Sequence, residues 1–196
     1  MGAGPEEPRV PPLPPGAWDE AARRAMDPLR PPEELRRQRR GEGRPRGLNV
    51  LGTLARHPDL ARAFNTFNAH LLYASTLSDR QRELVVLRVA ALRGSAYEWR
   101  QHAVLAGDAG IGPEEVARVA EGPEAPGWPA ADRTLLRAVD ELVGDALVTD
   151  ATWRDLAATL GTEQLMDLVF TVGAYDLLAM ALRSFGVRAD DDLPGG

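Results

Sequence analysis

Four side chains capable of acid–base chemistry lie close together in the middle of the chain. Ser95, Glu98 and His102 fall within eight consecutive positions, and Glu83 precedes Ser95 by twelve. On an α-helix Glu98 lies about 40° from His102 and Ser95 about 20° to its other side, so the three share one face. A carboxylate beside an imidazole orients the ring and fixes its tautomer, as a proton-transfer pair requires. We therefore expect an acid–base site in which Glu83 is the partner of His102.

The same residues also permit a purely structural interpretation. Ser95 followed by Glu98 fits the capping-box pattern S-x-x-E, in which both side chains bind backbone amides at a helix start. Glu98 would then be used by the backbone, and His102 would be an ordinary helix residue with one hydrogen bond. Spacing alone leaves both interpretations open.

Four residues, Ser95 among them, are weaker candidates for substrate contact. Arg88 lies on a nearly all-apolar helix and must pair either with a structural carboxylate or with a substrate anion. Tyr97 and Trp99 either pack in the interior or line a pocket for a planar ring.

The remaining histidines and a metal are not expected to take part in chemistry. His57, before a proline, and His70, late in a helix, are predicted to be structural. A metal at Glu98 and His102 would need another ligand, and no HxH, HExxH or acid-rich cluster supplies one.

The elements that must position these residues are helical. From residue 48 onward no segment alternates with period two, so no strand is predicted. Apolar spacing and helix-end residues predict an all-α bundle of six or seven helices. The predicted segments are Pro58 to about Tyr73, a helix capped by Ser78 and ending at Gly94, about 96–109, a helix from Pro113, Ala131–Leu147, Asp150–Leu160 and Thr162–Phe185. The helix ending at Gly94 is apolar nearly all round and should be the central one.

Two absences from the composition exclude whole classes of chemistry. The 196 residues contain no cysteine and no lysine, because all 23 basic residues are arginines. Disulfides, thiolate nucleophiles, zinc–thiolate sites, Schiff-base amines and lysine bases are therefore excluded. Proton transfer falls to carboxylates, histidines and tyrosines, and no cofactor is expected.

The first 47 residues differ from the rest and are predicted to form a separate N-terminal arm. They hold ten of the 16 prolines and 10 arginines against 8 acidic residues, whereas the remainder holds 13 arginines against 21 acidic residues. We predict disorder over 1–16, short helices within WDEAARRAMDPL and PPEELRRQRRGEGRPRG, a helical domain over 48–190 and a tail at 191–196. An acidic body disfavours nucleic-acid binding. Without a long uninterrupted apolar run or a secretory signal, no membrane association and a cytoplasmic location are expected.

Three segments resemble a known family. They are LNVLGTLARHPDLARAF, LSDRQRELVVLRVAALRGSAYEWRQHAVLAGDAGI and YDLLAMALRSFGV, and the specific element is E-L-x-x-L-R-x-A followed by Y-E-W-x-x-H. This pattern resembles the carboxymuconolactone decarboxylase family, which includes alkylhydroperoxidase-like members, over about residues 48–190. In the redox branch C-x-x-C-x-x-x-H opens the helix, and its cysteines fall here on Ser95 and Glu98. The resemblance therefore implies a cysteine-free member without thiol peroxidase activity.

The resemblance also implies a function and a state of assembly. It implies a compact helical protomer that forms a trimer or hexamer, with ligand pockets between helices. We expect a cofactor-independent lyase or isomerase that acts on a small cyclic carboxylate or carbonyl compound. His102 would be the acid–base, Glu83 its orienting group, Glu98 a second carboxylate and Arg88 an anion contact. Decarboxylation, dehydration, cyclisation and isomerisation remain open, and the alternative is a non-catalytic helical oligomer that binds a ligand or a partner protein.

Overall fold

The computed structural model of the protein describes residue 5, residues 7–34 and residues 45–190. Over these residues it contains nine α-helices and no β-strand, which confirms the predicted all-α fold. The helices are α1 (Glu20–Ala25), α2 (Leu48–Leu54), α3 (Pro58–Tyr73), α4 (Asp79–Arg93), α5 (Ala96–Asp108), α6 (Pro113–Glu121), α7 (Ala130–Asp145), α8 (Asp150–Ala157) and α9 (Thr162–Phe185).

The helix ends follow local signals in the sequence. The Ser78 hydroxyl accepts a hydrogen bond from the Gln81 amide, and the Gln81 side chain accepts one from the Ser78 amide, so the predicted capping box starts α4. Gly94 ends α4 with φ at 62°, a left-handed conformation that favours glycine. The seven helices predicted from Pro58 onward are all present, and α2 is an additional helix.

The chain divides into two compact units, and the second comprises residues 76–180. Helix α4 packs there against α5, α6 and α7, and nine consecutive residues over 82–90 are buried. Its fully buried apolar side chains are Leu84, Val85, Val86, Leu87 and Val89. Each contributes about 1.5–3 kcal/mol through burial. Helix α4 is therefore the central helix, and its charged residues are held in the interior.

The first unit comprises residues 1–75 and 181–196 and includes much of the proline-rich segment. The amides of Arg9 and Val10 donate to the carbonyl of Phe185, at 2.8 and 3.2 Å, and the Leu13 amide donates to Gly52, at 2.9 Å. Within PRVPPLPP these three residues are the only ones with a backbone N–H, and all three donate. The prediction of disorder is therefore wrong for residues 7–16.

Two predicted features lie partly outside the described residues. The predicted helix within PPEELRRQRRGEGRPRG includes residues 35–44, and the predicted tail is 191–196. The other predicted N-terminal helix is present as α1, where the Asp19 side chain accepts a hydrogen bond from the Ala22 amide.

Helix α9 is long and apolar enough to span a membrane by length and composition alone. Half of its most apolar window is buried within the protein, and a core helix of a globular protein passes the same test. One such helix is weak support for membrane insertion, and the expected lack of membrane association stays a prediction.

Replacing Gly52 should destabilise the first unit. A Cβ at this position of α2 would come well inside van der Waals distance of the Leu13 carbonyl oxygen and 3.0 Å from the Pro12 Cβ. We expect Gly52→Ala to lower the free energy of unfolding by about 1–3 kcal/mol, measured by chemical denaturation. Gly144→Ala is the matched control, because a Cβ there meets nothing within 4 Å. Equal effects of the two substitutions would contradict the proposed contact.

Candidate active site

The pair expected from the sequence is formed in the interior of the second unit. Helix α4 carries Glu83 and helix α5 carries His102, and only the turn at Gly94 and Ser95 joins these helices. The Nδ1 atom of His102 lies 2.6 Å from Oε2 of Glu83. Only 4% of Glu83 and 8% of His102 is exposed to solvent. A short hydrogen bond therefore connects a buried carboxylate with a buried imidazole.

The charge on Glu83 determines the tautomer of the ring. Burial alone would raise the pKa of this carboxyl group, but the charge of His102, its hydrogen bond and nearby Arg82 together hold the pKa below its ordinary value of 4.5. The ionised carboxylate only accepts hydrogen bonds, so the Nδ1 atom of His102 carries the proton. The Nε2 atom makes no hydrogen bond to any residue that the structure describes. It is thus available to accept or deliver a proton.

Two residues not identified from the sequence complete this environment. Arg82 is buried, donates to Asp79 at 2.7 Å and contacts Oε1 of Glu83 at 3.4 Å. The ring of Tyr175, from α9, meets the ring of His102 edge-on at 5.2 Å between centroids. The sequence indicates the Glu83–His102 contact because only a short turn at Gly94 joins their two helices. Nothing in the sequence near position 83 indicates a tyrosine far along the chain.

The capping-box interpretation of Ser95 and Glu98 is wrong. Ser95 occupies the position before α5, but its side chain makes no capping hydrogen bond. The Ser95 hydroxyl and both carboxyl oxygens of Glu98 make no hydrogen bond of regular geometry among the described residues, although the Ser95 hydroxyl lies near enough to Glu98 to lower its pKa. They are nonetheless buried, with 1% and 2% of the residues exposed. Because an unsatisfied buried polar group costs about 1–3 kcal/mol, this arrangement is unfavourable for stability.

Glu98 differs from Glu83 in its charge state. Burial raises the pKa of Glu98 from 4.5 to about 7. The Ser95 hydroxyl and the charge of His102 favour the ionised form, and the negative charge of Asp176 disfavours it, but burial outweighs the favourable influences. Glu98 thus holds a transferable proton near neutral pH, whereas Glu83 is ionised.

Arg88 is engaged in contacts within the protein, and its contact with a substrate anion stays a prediction. Its guanidinium group binds both carboxylate oxygens of Asp140, at 2.6 and 2.8 Å. It also donates to the carbonyls of Val119 and Ala120, at 2.9 and 3.1 Å. These bonds join α4 to α6 and α7, so the structural alternative applies. The arginine beside the His102 pair is Arg82.

The two aromatic candidates are used in packing. Tyr97 is buried, and its hydroxyl accepts a hydrogen bond from Gln101 at 2.7 Å. Trp99 is half-buried against the hydrophobic core. A role for either in binding a planar ring stays a prediction.

The other histidines lie in the first unit. His57 precedes α3, and its ring accepts a hydrogen bond from the Leu60 amide at 3.4 Å. His70 is exposed near the end of α3. Across residues 5, 7–34 and 45–190, no group of three or more acidic, histidine or cysteine side chains is placed to hold a metal ion.

The environment of Glu98 predicts a specific pH dependence of stability. Its raised pKa means that the folded protein binds the proton more tightly than the unfolded chain between pH 4.5 and 7. The free energy of unfolding should therefore fall as pH rises through this window. Relative to Glu98→Gln, the wild type should lose on the order of 3 kcal/mol by pH 8, measured by urea denaturation.

Glu121→Gln, at an exposed carboxylate, serves as the control and should show no such change. The lowered pKa values of Glu83, Glu115 and Glu141 place their contributions below pH 4.5, outside this window. A constant difference between wild type and Glu98→Gln from pH 4.5 to 8 would show that Glu98 is not buried as described.

Comparison with known proteins supports the resemblance found in the sequence. The profile of the carboxymuconolactone decarboxylase family matches residues 58–141, which include α3 to α6 and every candidate site residue. Among curated proteins, none matches this sequence.

Several solved structures share the fold. An uncharacterised peroxidase-related protein from Silicibacter sp. TM1040 superposes with a TM-score of 0.75 at 15% identity, covering 100% of this chain and 98% of the other. A peroxidase-related protein from Ralstonia eutropha JMP134, described as an alkylhydroperoxidase AhpD core, gives 0.69 at 22% identity, covering 93% and 94%. The apo debrominase Bmp8 gives 0.65 at 16% identity, covering 93% and 92%. Together these comparisons show that residues 58–141 are similar to the carboxymuconolactone decarboxylase family and that the chain, which has no cysteine, shares the fold of the AhpD-like structures.

Proposed function

We propose that this protein is a cofactor-independent lyase or isomerase that transfers protons on a small cyclic carboxylate or carbonyl compound. The observation that carries the proposal is the buried Glu83–His102 pair, in which Nδ1 is engaged and Nε2 is not. Carboxyl groups with perturbed pKa values are concentrated at functional sites, which supports this assignment.

We assign a role to each member of the pair. His102 accepts a proton through Nε2 from a carbon next to the substrate carbonyl, and the electron pair of the broken C–H bond moves to the carbonyl oxygen. Glu83 stabilises the imidazolium that results and keeps the ring oriented. Return of the proton to another carbon gives isomerisation. In a decarboxylation, carbon dioxide leaves, the electron pair of the broken C–C bond moves to the conjugated carbonyl group, and His102 delivers a proton to the resulting carbanion or enolate.

Glu98 supplies the second proton-transfer group. Its pKa of about 7 allows it to be a proton donor near neutral pH while Glu83 remains an acceptor. Two carboxyl groups whose environments push their pKa values apart are the usual basis of acid and base assignments.

Two of the structural neighbours are described as peroxidase-related, and peroxidase chemistry would need separate support in this chain. A thiol-dependent peroxidase reaction requires cysteine, and this chain has none. Dehydration and cyclisation need the same proton transfers and remain alternatives within the proposal.

The site assignment predicts loss of proton exchange on substitution of His102. A panel of cyclic ketones, lactones and their carboxylic acids is incubated in D2O, and α-proton exchange and loss of carbon dioxide are followed by ¹H NMR. We expect the wild type to accelerate at least one reaction and His102→Ala to be about 10²- to 10⁴-fold slower. Glu83→Gln should also be slower, because the neutral amide cannot stabilise the imidazolium.

His70→Ala provides the matched control, since that histidine is exposed and in the other unit. Its rate should equal that of the wild type. Rates for His102→Ala within a few-fold of wild type, or no acceleration of any compound by the wild type, would refute the assignment.

We also propose a homo-oligomer, as family members form trimers or hexamers. One side of α9 is apolar and exposed, with 52–57% of each residue accessible, and we call it the α9 outer face. It consists of Met166, Phe170, Leu177 and Met180. Apolar patches of this kind, when contiguous, mark interaction sites. This face also supports the second candidate function, a non-catalytic oligomer that binds a ligand or a partner protein.

A charge on the α9 outer face should disrupt the assembly. Sedimentation velocity of the wild type should give a multiple of the 21.2 kDa chain mass, and Leu177→Glu should shift the distribution toward the single chain. Leu147→Glu is the control, because Leu147 is equally apolar and 67% exposed but lies outside α9. A wild type that sediments as a single chain would contradict the oligomer.

A further inference from the structure

The start of α5 has features of a binding position for an oxygen atom. The first amides of a helix need partners outside the helix, and Ser95 supplies none from its side chain. The Ser95 hydroxyl and the Glu98 carboxyl are themselves buried, interact with each other and make no hydrogen bond of regular geometry. Several hydrogen-bonding groups without regular partners thus lie together, about one turn (Glu98) and two turns (Ser95) before His102 on α5. A ligand atom that could satisfy them would be strongly favoured there.

The charges around this position select against an anion. Glu83 is ionised, and Asp176 interacts unfavourably with an ionised Glu98. The nearby guanidinium groups already bind carboxylates, since Arg82 contacts Asp79 and Glu83 and Arg93 binds Asp176. A ligand carboxylate beside Glu98 would add negative charge without gaining a cation. An uncharged carbonyl oxygen avoids this cost and accepts hydrogen bonds.

We propose that the start of α5, with Ser95 and Glu98, binds the carbonyl oxygen of an uncharged cyclic ketone and stabilises the negative charge that develops on it during proton transfer. This inference rests on the proposed function, and it narrows the substrate to a conjugated or enolisable ketone. The oxygen accepts hydrogen bonds from the Ser95 hydroxyl and the Glu98 carboxyl, and the positive end of the helix dipole favours its charge.

The proposed isomerisation involves only the ketone, His102 and Glu98. The α-carbon of the ketone loses a proton to Nε2 of His102, and the electron pair of the C–H bond forms the enolate. The enolate oxygen then takes the proton of Glu98, which gives a neutral enol and an ionised Glu98. Return of the His102 proton to a different carbon, and of the enol proton to Glu98, completes an isomerisation without any other reactant.

Binding of cyclopent-2-enone tests the proposal, because this ring ketone finds neither thiol nor lysine to alkylate in the chain. With a ¹³C-labelled carbonyl, its resonance should move downfield on binding, as hydrogen bonds polarise the carbonyl. Ser95→Ala and Glu98→Met should each reduce this shift and weaken binding by about tenfold, the worth of one hydrogen bond. Glu98→Gln, whose amide can still donate, should retain most of the shift, and Glu121→Gln should retain all of it.

The preference for an uncharged ligand over an anion can be measured separately. Cyclopent-1-ene-1-carboxylate has the same ring and a negative charge, and it should bind at least about tenfold more weakly than the ketone. Ketone affinity should also fall as pH rises through 7 and become independent of pH in Glu98→Gln. The charged groups that act on Glu98 are His102 on its own helix and Asp176 on α9, while Glu83, Arg82 and Tyr175 lie around His102. All of them are retained in that variant.

Three results would each refute the proposal. They are a carboxylate that binds as tightly as the ketone, no binding of the ketone by the wild type, and an unchanged carbonyl shift in both Ser95→Ala and Glu98→Met. Circular dichroism and urea denaturation establish that each variant is folded. If His102→Ala abolishes proton exchange while these carbonyl shifts are unchanged, the proposed function stands and this inference falls. The reverse pattern would retain the carbonyl site and remove the proton-transfer function.

Discussion

The hydrogen bond between Glu83 and His102 is the interaction on which the rest of the second unit depends. It places a negative charge at the centre of a helix whose neighbouring side chains are fully buried and apolar. Removing a carboxylate from water is strongly unfavourable unless a partner offsets it. The imidazole and Arg82 offset it here. The same hydrogen bond therefore stabilises the packing of α4 against α5 and orients the imidazole in the site. Without this bond, α4 would hold an unpaired charge in the core.

The contrast between the two glutamates follows from their partners and not from their depth. Both are buried to within a few per cent of full burial. Glu83 has an imidazole and a guanidinium group beside it, and its pKa lies below the ordinary value. Glu98 makes no hydrogen bond of regular geometry among the described residues, and its pKa rises to about 7. One helix pair thus holds a proton acceptor and a proton donor at the same pH, which acid–base catalysis on a single substrate requires. The unsatisfied groups at Ser95 and Glu98 lower stability, as strained or unpaired groups at functional sites do.

Local signals in the sequence were enough to predict most of the helices and the Glu83–His102 contact. Ser78, Gln81 and Gly94 determine the ends of α4 through backbone interactions within a few residues. A short connection then forces α5 back against α4. Helix α2 was missed because the residue before it, Gly47, offers no side-chain cap.

The features that could not be predicted depend on contacts between distant parts of the chain. The backbone bonds of Arg9, Val10 and Leu13 to Phe185 and Gly52 leave no trace in local composition. Tyr175 reaches His102 from a helix far along the sequence. The S-x-x-E pattern at Ser95 has the composition of a capping box, and only the side-chain orientation shows that no cap forms. Arg88 and Arg82 lie on the same helix, and only three-dimensional packing reveals which of them lies beside the imidazole.

The tautomer of His102 is the most direct test of the account. In protein labelled with ¹⁵N-histidine, NMR at neutral pH should show a proton fixed on Nδ1 of His102 that exchanges slowly with water. That signal should disappear in Glu83→Gln and persist in Glu98→Gln. The ring of His70, a solvent-exposed residue, provides the internal reference for exchange with water. A His102 ring that exchanges as fast as His70, or that carries its proton on Nε2 alone, would contradict the central claim.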